Sequence, residues 1–120
     1  MSEQLLTTSV RSRTTGVAGR SLNSARDHHF VIDGSPTGGG PAEEITPGEA
    51  FLAGISGCGV LMIERRAAET GVPLALAEAW IESRRQPSDT ATFAGIELRY
   101  RLVGPTREQA DALVEHYCRH

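Results

Sequence analysis

The feature that most constrains this chain is an uncharged stretch in its middle. Residues 50–63 read AFLAGISGCGVLMI, and every one of them is apolar, small or a lone serine. A helix of this composition has no polar side to turn toward water. We therefore expect this stretch to be buried all round, with the rest of the chain arranged about it.

The flanking residues predict where that helix begins and ends. Thr46 is a good N-cap, Pro47 suits the first helical position, and Glu49 stands three residues after Thr46, as a capping box requires. At the other end, Gly71 supplies a C-cap and Pro73 blocks continuation. The helix should run to about residue 70.

The remaining patterns predict strands on both sides of this helix and a second helix at the end. A capping box formed by Thr106 and Gln109 precedes an apolar stripe at helical spacing. The order strands, helix, strands, helix predicts an α+β domain of mainly antiparallel sheets with a long central buried helix. The expected strands cover residues 5–13, 17–25, 29–32, 74–85 and 92–103, with a hairpin turn at 86–90.

Length and composition limit the classes of protein to which this chain can belong. We expect residues 1–120 to form one domain, because the length is that of a single domain and 39% of the residues are hydrophobic. A net charge of −3 gives no reason to expect nucleic acid, and no apolar run is long enough for a membrane span. The N-terminus lacks a signal peptide, which favours the cytoplasm. All 12 basic residues are Arg, which excludes lysine-based chemistry.

Three glycines surround the first cysteine inside the predicted helix. Gly54, Gly57 and Gly59 each cost about 0.5–1 kcal/mol relative to Ala in a helix interior. One interpretation is close packing of a second helix, from this chain or from a second subunit. A compatible interpretation is that the missing side chains open space around Cys58. The alternative for Cys58 itself is a buried, unreactive thiol.

A reactive thiolate at Cys58 would need a cation, because the middle of a helix gives little help from the helix dipole. The early strands supply arginines. Glu49 is a candidate to orient one of them, but it lies nine residues before Cys58, about 13 Å away along a straight helix. Glu49 would therefore act across a dimer interface or past a glycine kink. Its other interpretation is the capping box alone.

These residues resemble the OsmC/Ohr family of osmotically inducible protein C and organic hydroperoxide resistance proteins. The resemblance is carried by a strand ending in Asp33, the glycine loop at 38–40, and a Pro-x-Glu helix start followed by small residues and Cys58. It continues through residues 69–74 and 106–117. In the hydroperoxide resistance branch, the acidic residue stands where this chain has Gly48. Here the acid, Glu49, stands one residue later. The match is therefore to the OsmC-like branch.

The resemblance implies an intertwined homodimer with thiol peroxidase chemistry at the subunit interface. Cys58 would be the peroxidatic residue, passing through a sulfenic acid to a disulfide that an external dithiol reduces. Either Cys118 is the resolving cysteine, or the chain is shortened and the family's second cysteine would follow residue 120. The family arginine matches Arg20, with Arg26 as the alternative, and Glu49 would orient it.

The resemblance also indicates the partners. Organic hydroperoxides would be the substrates, bound by Phe51, Leu61 and Met62 together with Arg26, and the reductant would be a lipoyl or thioredoxin-type dithiol protein. We expect no metal and no cofactor. The alternative function is a non-catalytic dimer of the same fold, in which Cys58 is structural and the glycine-lined cleft holds a small apolar ligand.

Overall fold

The computed structural model describes residues 4–119 and has the predicted α+β order. Three strands come first, then a long helix, a hairpin of two long strands and a second helix. These elements form two compact units, one through Ala50 and one from Phe51 onward, called here the N-terminal and C-terminal units. The elements are β1 (Arg11–Thr14), β2 (Arg20–Ala25), β3 (His28–Asp33), α1 (Pro47–Thr70), β4 (Leu76–Gln86), β5 (Asp89–Val103) and α2 (Arg107–Arg119).

The N-terminal unit contains an antiparallel sheet in the order β1-β2-β3. Its first strand is shorter than predicted, because residues 4–10 form no regular structure and Leu6 is fully exposed. The register explains the difference: Arg11 pairs with Ser24, and β2 ends one residue later at Ala25. The residues before Val10 therefore have no residue of β2 opposite them.

A buried carboxylate connects this sheet to the loop that follows it. Asp33 ends β3 directly opposite Arg20 on β2 and has no exposed surface. Its oxygens accept hydrogen bonds from the Arg20 guanidinium at 2.7 and 2.9 Å, and from the backbone N–H groups of Glu43 and Glu44 at 3.0 Å each. The Arg20 hydrogen bond outweighs burial, so the pKa of Asp33 falls from 3.8 to about 2.

Both ends of α1 have the predicted caps. The Thr46 N–H donates to the Glu49 carboxylate at 2.9 Å, and the Glu49 N–H donates back to the Thr46 hydroxyl at 3.3 Å. At the C-terminus, Gly71 adopts a φ of 71°, and the Val72 N–H donates to the Ala67 carbonyl at 2.9 Å. This arrangement is a Schellman motif, which requires a residue such as glycine that tolerates positive φ.

The C-terminal unit is built on the β4–β5 hairpin, whose two faces differ. The half-buried face includes Ala79 and Ile81 opposite Tyr100 and Leu98. The other face carries a network of exposed ion pairs, in which Arg99 and Arg101 contact glutamates on β4 at 3.3 and 3.6 Å. Trp80 also lies on this charged face and is 49% exposed.

The core of the C-terminal unit is small and corrects one expectation about α1. Ile63 and Ala67 of α1 and Leu113 of α2 are the buried hydrophobic residues, surrounded by half-buried neighbours such as Leu102 and Val114. Only one side of α1 is covered by these elements. The prediction that residues 50–63 are buried all round is therefore wrong for the single chain, where Leu61 is 64% exposed.

One of the three helix glycines is explained by packing within the chain. A Cβ at Gly59 would lie 2.6 Å from the Tyr100 hydroxyl and 3.3 Å from the Tyr117 ring. At Gly54 and Gly57, a Cβ would meet nothing within 4 Å. Gly59 is thus required where two tyrosines approach the helix backbone, and the other two glycines have no such reason in one chain.

We expect Gly59→Ala to destabilise the fold by about 1–3 kcal/mol, because the added methyl group forces Tyr100 and Tyr117 to move. The cost of moving the two rings exceeds the gain of about 1 kcal/mol that alanine brings in helix propensity. Thermal or urea unfolding measures the change. Gly95→Ala in β5 is the control, because a Cβ there meets nothing within 4 Å. Equal stability of the two variants would contradict the packing at Gly59.

Asp33 should make the free energy of unfolding fall as the pH becomes acidic. The carboxyl group has a pKa of about 2 in the folded chain and 3.8 as its ordinary value, so its ionised form stabilises the fold above pH ~4. This contribution is lost as the pH falls from about 4 through about 2. Urea unfolding of the wild type and Asp33→Asn should differ by a constant amount at neutral pH and by progressively less below pH ~4. A difference unchanged at pH ~3 would contradict the ion pair.

Candidate functional site

Cys58 lies on a side of α1 that the chain leaves uncovered. Phe51, Gly54, Cys58 and Leu61 are spaced three, four and three residues apart, which places them on one side of the helix, and all four are exposed. We call these four residues the open face of α1. Met62 is half-buried beside it. A thiol in this position is accessible to a reactant and has apolar neighbours above and below it on the helix.

The second cysteine stands on α2, next to a residue that contacts α1. Tyr117 packs against Gly59, and its hydroxyl donates to the Ile55 carbonyl at 3.2 Å. Cys58 directly precedes Gly59 in the sequence, and Cys118 directly follows Tyr117. Both thiols are free and exposed. The contact between Gly59 and Tyr117 therefore fixes the place where the two cysteine-bearing helices meet.

A pair of tyrosines lies beside both thiols. The rings of Tyr100 and Tyr117 pack edge to face, with their centroids 6.2 Å apart. Burial, followed by the charges of Tyr117, Cys118 and Cys58, raises the pKa of Tyr100 to about 12. Burial, Cys58 and Cys118 also raise the pKa of Tyr117. Both thiols are therefore near the same two phenols.

The Tyr100 hydroxyl is buried and has no hydrogen-bond partner among the described residues. Leaving a buried phenol unpaired costs about 1–3 kcal/mol. The group sits against the Gly59 backbone, one residue from Cys58.

Aromatic rings extend the open face at its N-terminal end. Phe51 stacks on Phe93 of β5 with ring centroids 5.8 Å apart, and the Arg85 guanidinium lies 4.8 Å from the Phe93 ring centre. Phe51 remains 53% exposed and Phe93 37%. This apolar surface lies two helical turns before Cys58, at a distance that an organic molecule of moderate size can span.

Arg20 of the N-terminal unit is paired with the buried Asp33 carboxylate. Its Nε and Nη2 atoms bind Asp33, and Nη2 lies 3.5 Å from the exposed Glu43 carboxylate. The hydrogen bond with Asp33 raises the pKa of Arg20 further above its ordinary value, so the group stays charged. Arg20 also lines a cleft of about 550 Å³ together with Gly19, Ser21 and Pro47, the first residue of α1.

The other two candidates of this unit have different surroundings. Arg26 is exposed, has a φ of 56° and lies in the turn between β2 and β3. It therefore stands at the opposite end of β2 from Arg20. Glu49 is engaged in the capping box with Thr46, two residues after Pro47. Of the three, Arg20 and Glu49 lie at the start of α1, and Arg26 does not.

The structure identifies three residues that the sequence analysis did not select for the site. Asp33 appeared there only as the end of a strand. An acid at the end of an apolar strand needs a cation or hydrogen-bond donors if it is buried, and that requirement was the available signal. Tyr100 lies in a predicted strand and Tyr117 in the apolar stripe of the predicted second helix, and neither received a role in the site. Their signal was the adjacent small residue: a glycine beside Cys58 indicates that something large packs against that turn.

No resident metal or membrane site is visible in the part of the chain that the structure describes. Within residues 4–119, no three His, Cys, Asp or Glu side chains come together as metal ligands. In the same residues, no helix is both long and apolar enough to cross a bilayer.

Solved structures with the same fold come from several bacteria. The OsmC-like protein from Mycoplasma pneumoniae superposes with a TM-score of 0.83 at 12% identity, covering 96% of this chain and 82% of its own. An organic hydroperoxide resistance protein OsmC from Legionella pneumophila gives 0.73 at 20% identity, covering 96% and 84%. An organic hydroperoxide resistance protein from Elizabethkingia anophelis gives 0.75 at 16% identity, covering 98% and 85%.

At these identities the likeness shows the fold, and family membership needs a separate match. No curated protein sequence matches the chain. The model of the family described as OsmC-like protein matches residues 39–120, which include Gly39 and Gly40 of the glycine loop, all of α1 and both cysteines. The match covers more than half of the chain. This chain belongs to the OsmC-like protein family.

Proposed function

We propose that this protein is a cysteine-based thiol peroxidase that reduces organic hydroperoxides. The observation that carries the proposal is the pair of free thiols, Cys58 and Cys118, beside one tyrosine pair and next to an exposed apolar surface. Several structures of the same fold are named as organic hydroperoxide resistance proteins, which supports the choice of substrate.

The proposed reaction has three balanced steps. The Cys58 thiolate attacks the O–O bond of the hydroperoxide, and with one proton this gives a sulfenic acid and an alcohol. The Cys118 thiol then displaces water from the sulfenic acid, forming a disulfide. A dithiol, carried by a lipoyl or thioredoxin-type protein, reduces that disulfide and leaves both thiols free again. Because the cycle consumes a dithiol, we place it in the reducing cytoplasm.

Arg20 is the cation that we assign to the thiolate. Its bonds to Asp33 use Nε and Nη2, and its side chain remains 24% exposed, so the guanidinium can take a further partner. Arg26 is a weaker candidate because it stands in an exposed turn. We keep Glu49 as a second candidate acid of the site, since it lies two residues beyond Pro47, which lines the Arg20 cleft, although its carboxylate accepts from the Thr46 N–H.

We assign the open face of α1 to the substrate and to a second copy of the chain. Phe51, Leu61 and Met62 provide apolar contacts on either side of Cys58, which favours an organic hydroperoxide over hydrogen peroxide. The four residues of the open face are exposed in one chain. Exposed apolar surface next to a reactive group is typical of an interaction site.

The two unexplained glycines support the homodimer. A Cβ at Gly54 or Gly57 meets nothing within 4 Å in the single chain, yet each glycine costs helix stability. A closely packed partner helix gives a reason for both. The homodimer that we propose would bury the face that one chain leaves open.

The peroxidase proposal predicts that the purified protein consumes cumene or tert-butyl hydroperoxide when a dithiol is supplied. Cys58→Ser should abolish turnover, because it removes the nucleophile. Cys118→Ser should consume about one peroxide per chain and accumulate a sulfenic acid, detected by dimedone labelling and mass spectrometry.

Two outcomes would contradict this proposal. Turnover by Cys58→Ser would remove Cys58 from the chemistry. A wild-type protein that consumes no hydroperoxide would favour the alternative function, a non-catalytic dimer that binds a small apolar ligand.

The homodimer predicts a mass in solution of twice the 12.9 kDa chain, measured by sedimentation equilibrium. Leu61→Arg should raise the dissociation constant on the order of 100-fold, because each chain loses a buried leucine and places a charge in the interface. Ala112→Arg, on the exposed side of α2, is the control and should remain dimeric. A monomeric wild type, or a Leu61→Arg dimer as tight as the wild type, would contradict the assignment of this face.

A further inference from the structure

The two helices that carry the cysteines run in opposite directions where they touch. Leu113 of α2 lies in one buried cluster with Ile63 and Ala67 of α1. Tyr117, one turn later on α2, packs against Gly59, one turn earlier on α1. The last turn of α2 therefore follows α1 back toward its cysteine.

Tyr117 makes a polar bond to α1 in that last turn. Its hydroxyl donates to the Ile55 carbonyl at 3.2 Å, and its ring lies where a Cβ at Gly59 would meet it at 3.3 Å. Burial, followed by the charges of Cys58 and Cys118, raises the pKa of this phenol. The hydroxyl therefore stays protonated at neutral pH and keeps donating to the helix backbone.

Tyr100 is a built-in comparison for this bond. Its ring packs edge to face on Tyr117 with centroids 6.2 Å apart, and its hydroxyl also lies against Gly59. That hydroxyl is buried, but it has no hydrogen-bond partner among the residues that the structure describes. Removing it breaks no bond, whereas removing the Tyr117 hydroxyl breaks one to α1. Of the two phenols, that of Tyr117 is the one bonded to the helix that carries Cys58.

We propose that Tyr117 is a positioning residue for the second step of the reaction: its bond to the Ile55 carbonyl holds the last turn of α2 on α1, so that Cys118 meets the oxidised Cys58. In that step the two sulfurs bond, and the sulfenic hydroxyl leaves with the thiol proton as water. The ends of helices open more readily than their middles. A bond in the last turn therefore raises the fraction of time for which Cys118 is within reach. This inference rests on the proposed function.

Positioning predicts that the two steps respond differently to the loss of this bond. The attack of Cys58 on the peroxide does not use α2, so its rate should not change. Formation of the disulfide needs α2 in place, so its rate should fall. A general loss of structure would instead lower both rates, and urea unfolding checks that each variant is folded under the conditions of the assay.

The experiment mixes reduced protein with about one equivalent of cumene hydroperoxide and quenches it at intervals. Mass spectrometry follows the sulfenic acid as its dimedone adduct and, separately, the Cys58–Cys118 disulfide. We expect Tyr117→Phe to form the sulfenic acid at the wild-type rate and the disulfide about 2- to 10-fold more slowly, the factor that one net hydrogen bond contributes.

Tyr100→Phe is the matched control, because it removes the same atom from the neighbouring ring without breaking a bond. It should match the wild type in both steps. A disulfide rate in Tyr117→Phe equal to that of the wild type would overturn the inference. Equal slowing in Tyr117→Phe and Tyr100→Phe would also overturn it, because the bond to Ile55 would then not be the cause.

Glutathione separates this inference from the proposed function, because it forms the disulfide without peroxide. One oxidised glutathione and the two protein thiols give the protein disulfide and two reduced glutathione molecules. We expect Tyr117→Phe to lower this equilibrium constant by about 2- to 10-fold and Tyr100→Phe to leave it unchanged.

The outcomes of the two assays are distinct. A wild type that forms the disulfide in glutathione but consumes no hydroperoxide would overturn the peroxidase, and a lowered constant in Tyr117→Phe would still support the positioning. An active wild type with unchanged rate and constant in Tyr117→Phe would overturn the positioning alone. A wild type that joins Cys58 to Cys118 in neither assay would overturn both.

Discussion

An ionised carboxylate can be buried in a small protein only where donors surround it, and the N-terminal unit is organised around one such group. Asp33 draws together a strand end, the neighbouring strand through Arg20, and the backbone at residues 43 and 44. Those donors set the path of the loop that leads into α1. The same fork that stabilises the sheet also orders a cation at the start of that helix.

The C-terminal unit follows from a different constraint, the close approach of two tyrosines to a helix backbone. Gly59 permits that approach, and Tyr117 then crosses α1 between Ile55 and Gly59. Because α2 is held there, Cys118 comes into the neighbourhood of Cys58. On another side of α1, the residues of the open face remain exposed. We infer that the uncovered side gives the protein both its reactive surface and its means of pairing.

Local signals in the sequence predicted the local structure well, and the reasons are physical. Capping boxes at Thr46 and Thr106 and the glycine C-cap at Gly71 act over a few residues, so the sequence contains all of their parts. The pairing of Arg20 with Asp33 could not be read in this way, because it depends on the register of β2 against β3. The open face was also invisible: a stretch apolar on every side does not indicate which side the chain will cover.

The central claim is that Cys58 and Cys118, the two free thiols beside one tyrosine pair, form a disulfide in the proposed peroxidase cycle. Peptide mass spectrometry of the wild-type protein, treated with about one equivalent of cumene hydroperoxide and no dithiol, tests it most directly. The account predicts a peptide pair joined through Cys58 and Cys118 within each chain. Treated protein in which both thiols remain free, or in which Cys58 is oxidised without joining Cys118, would contradict it.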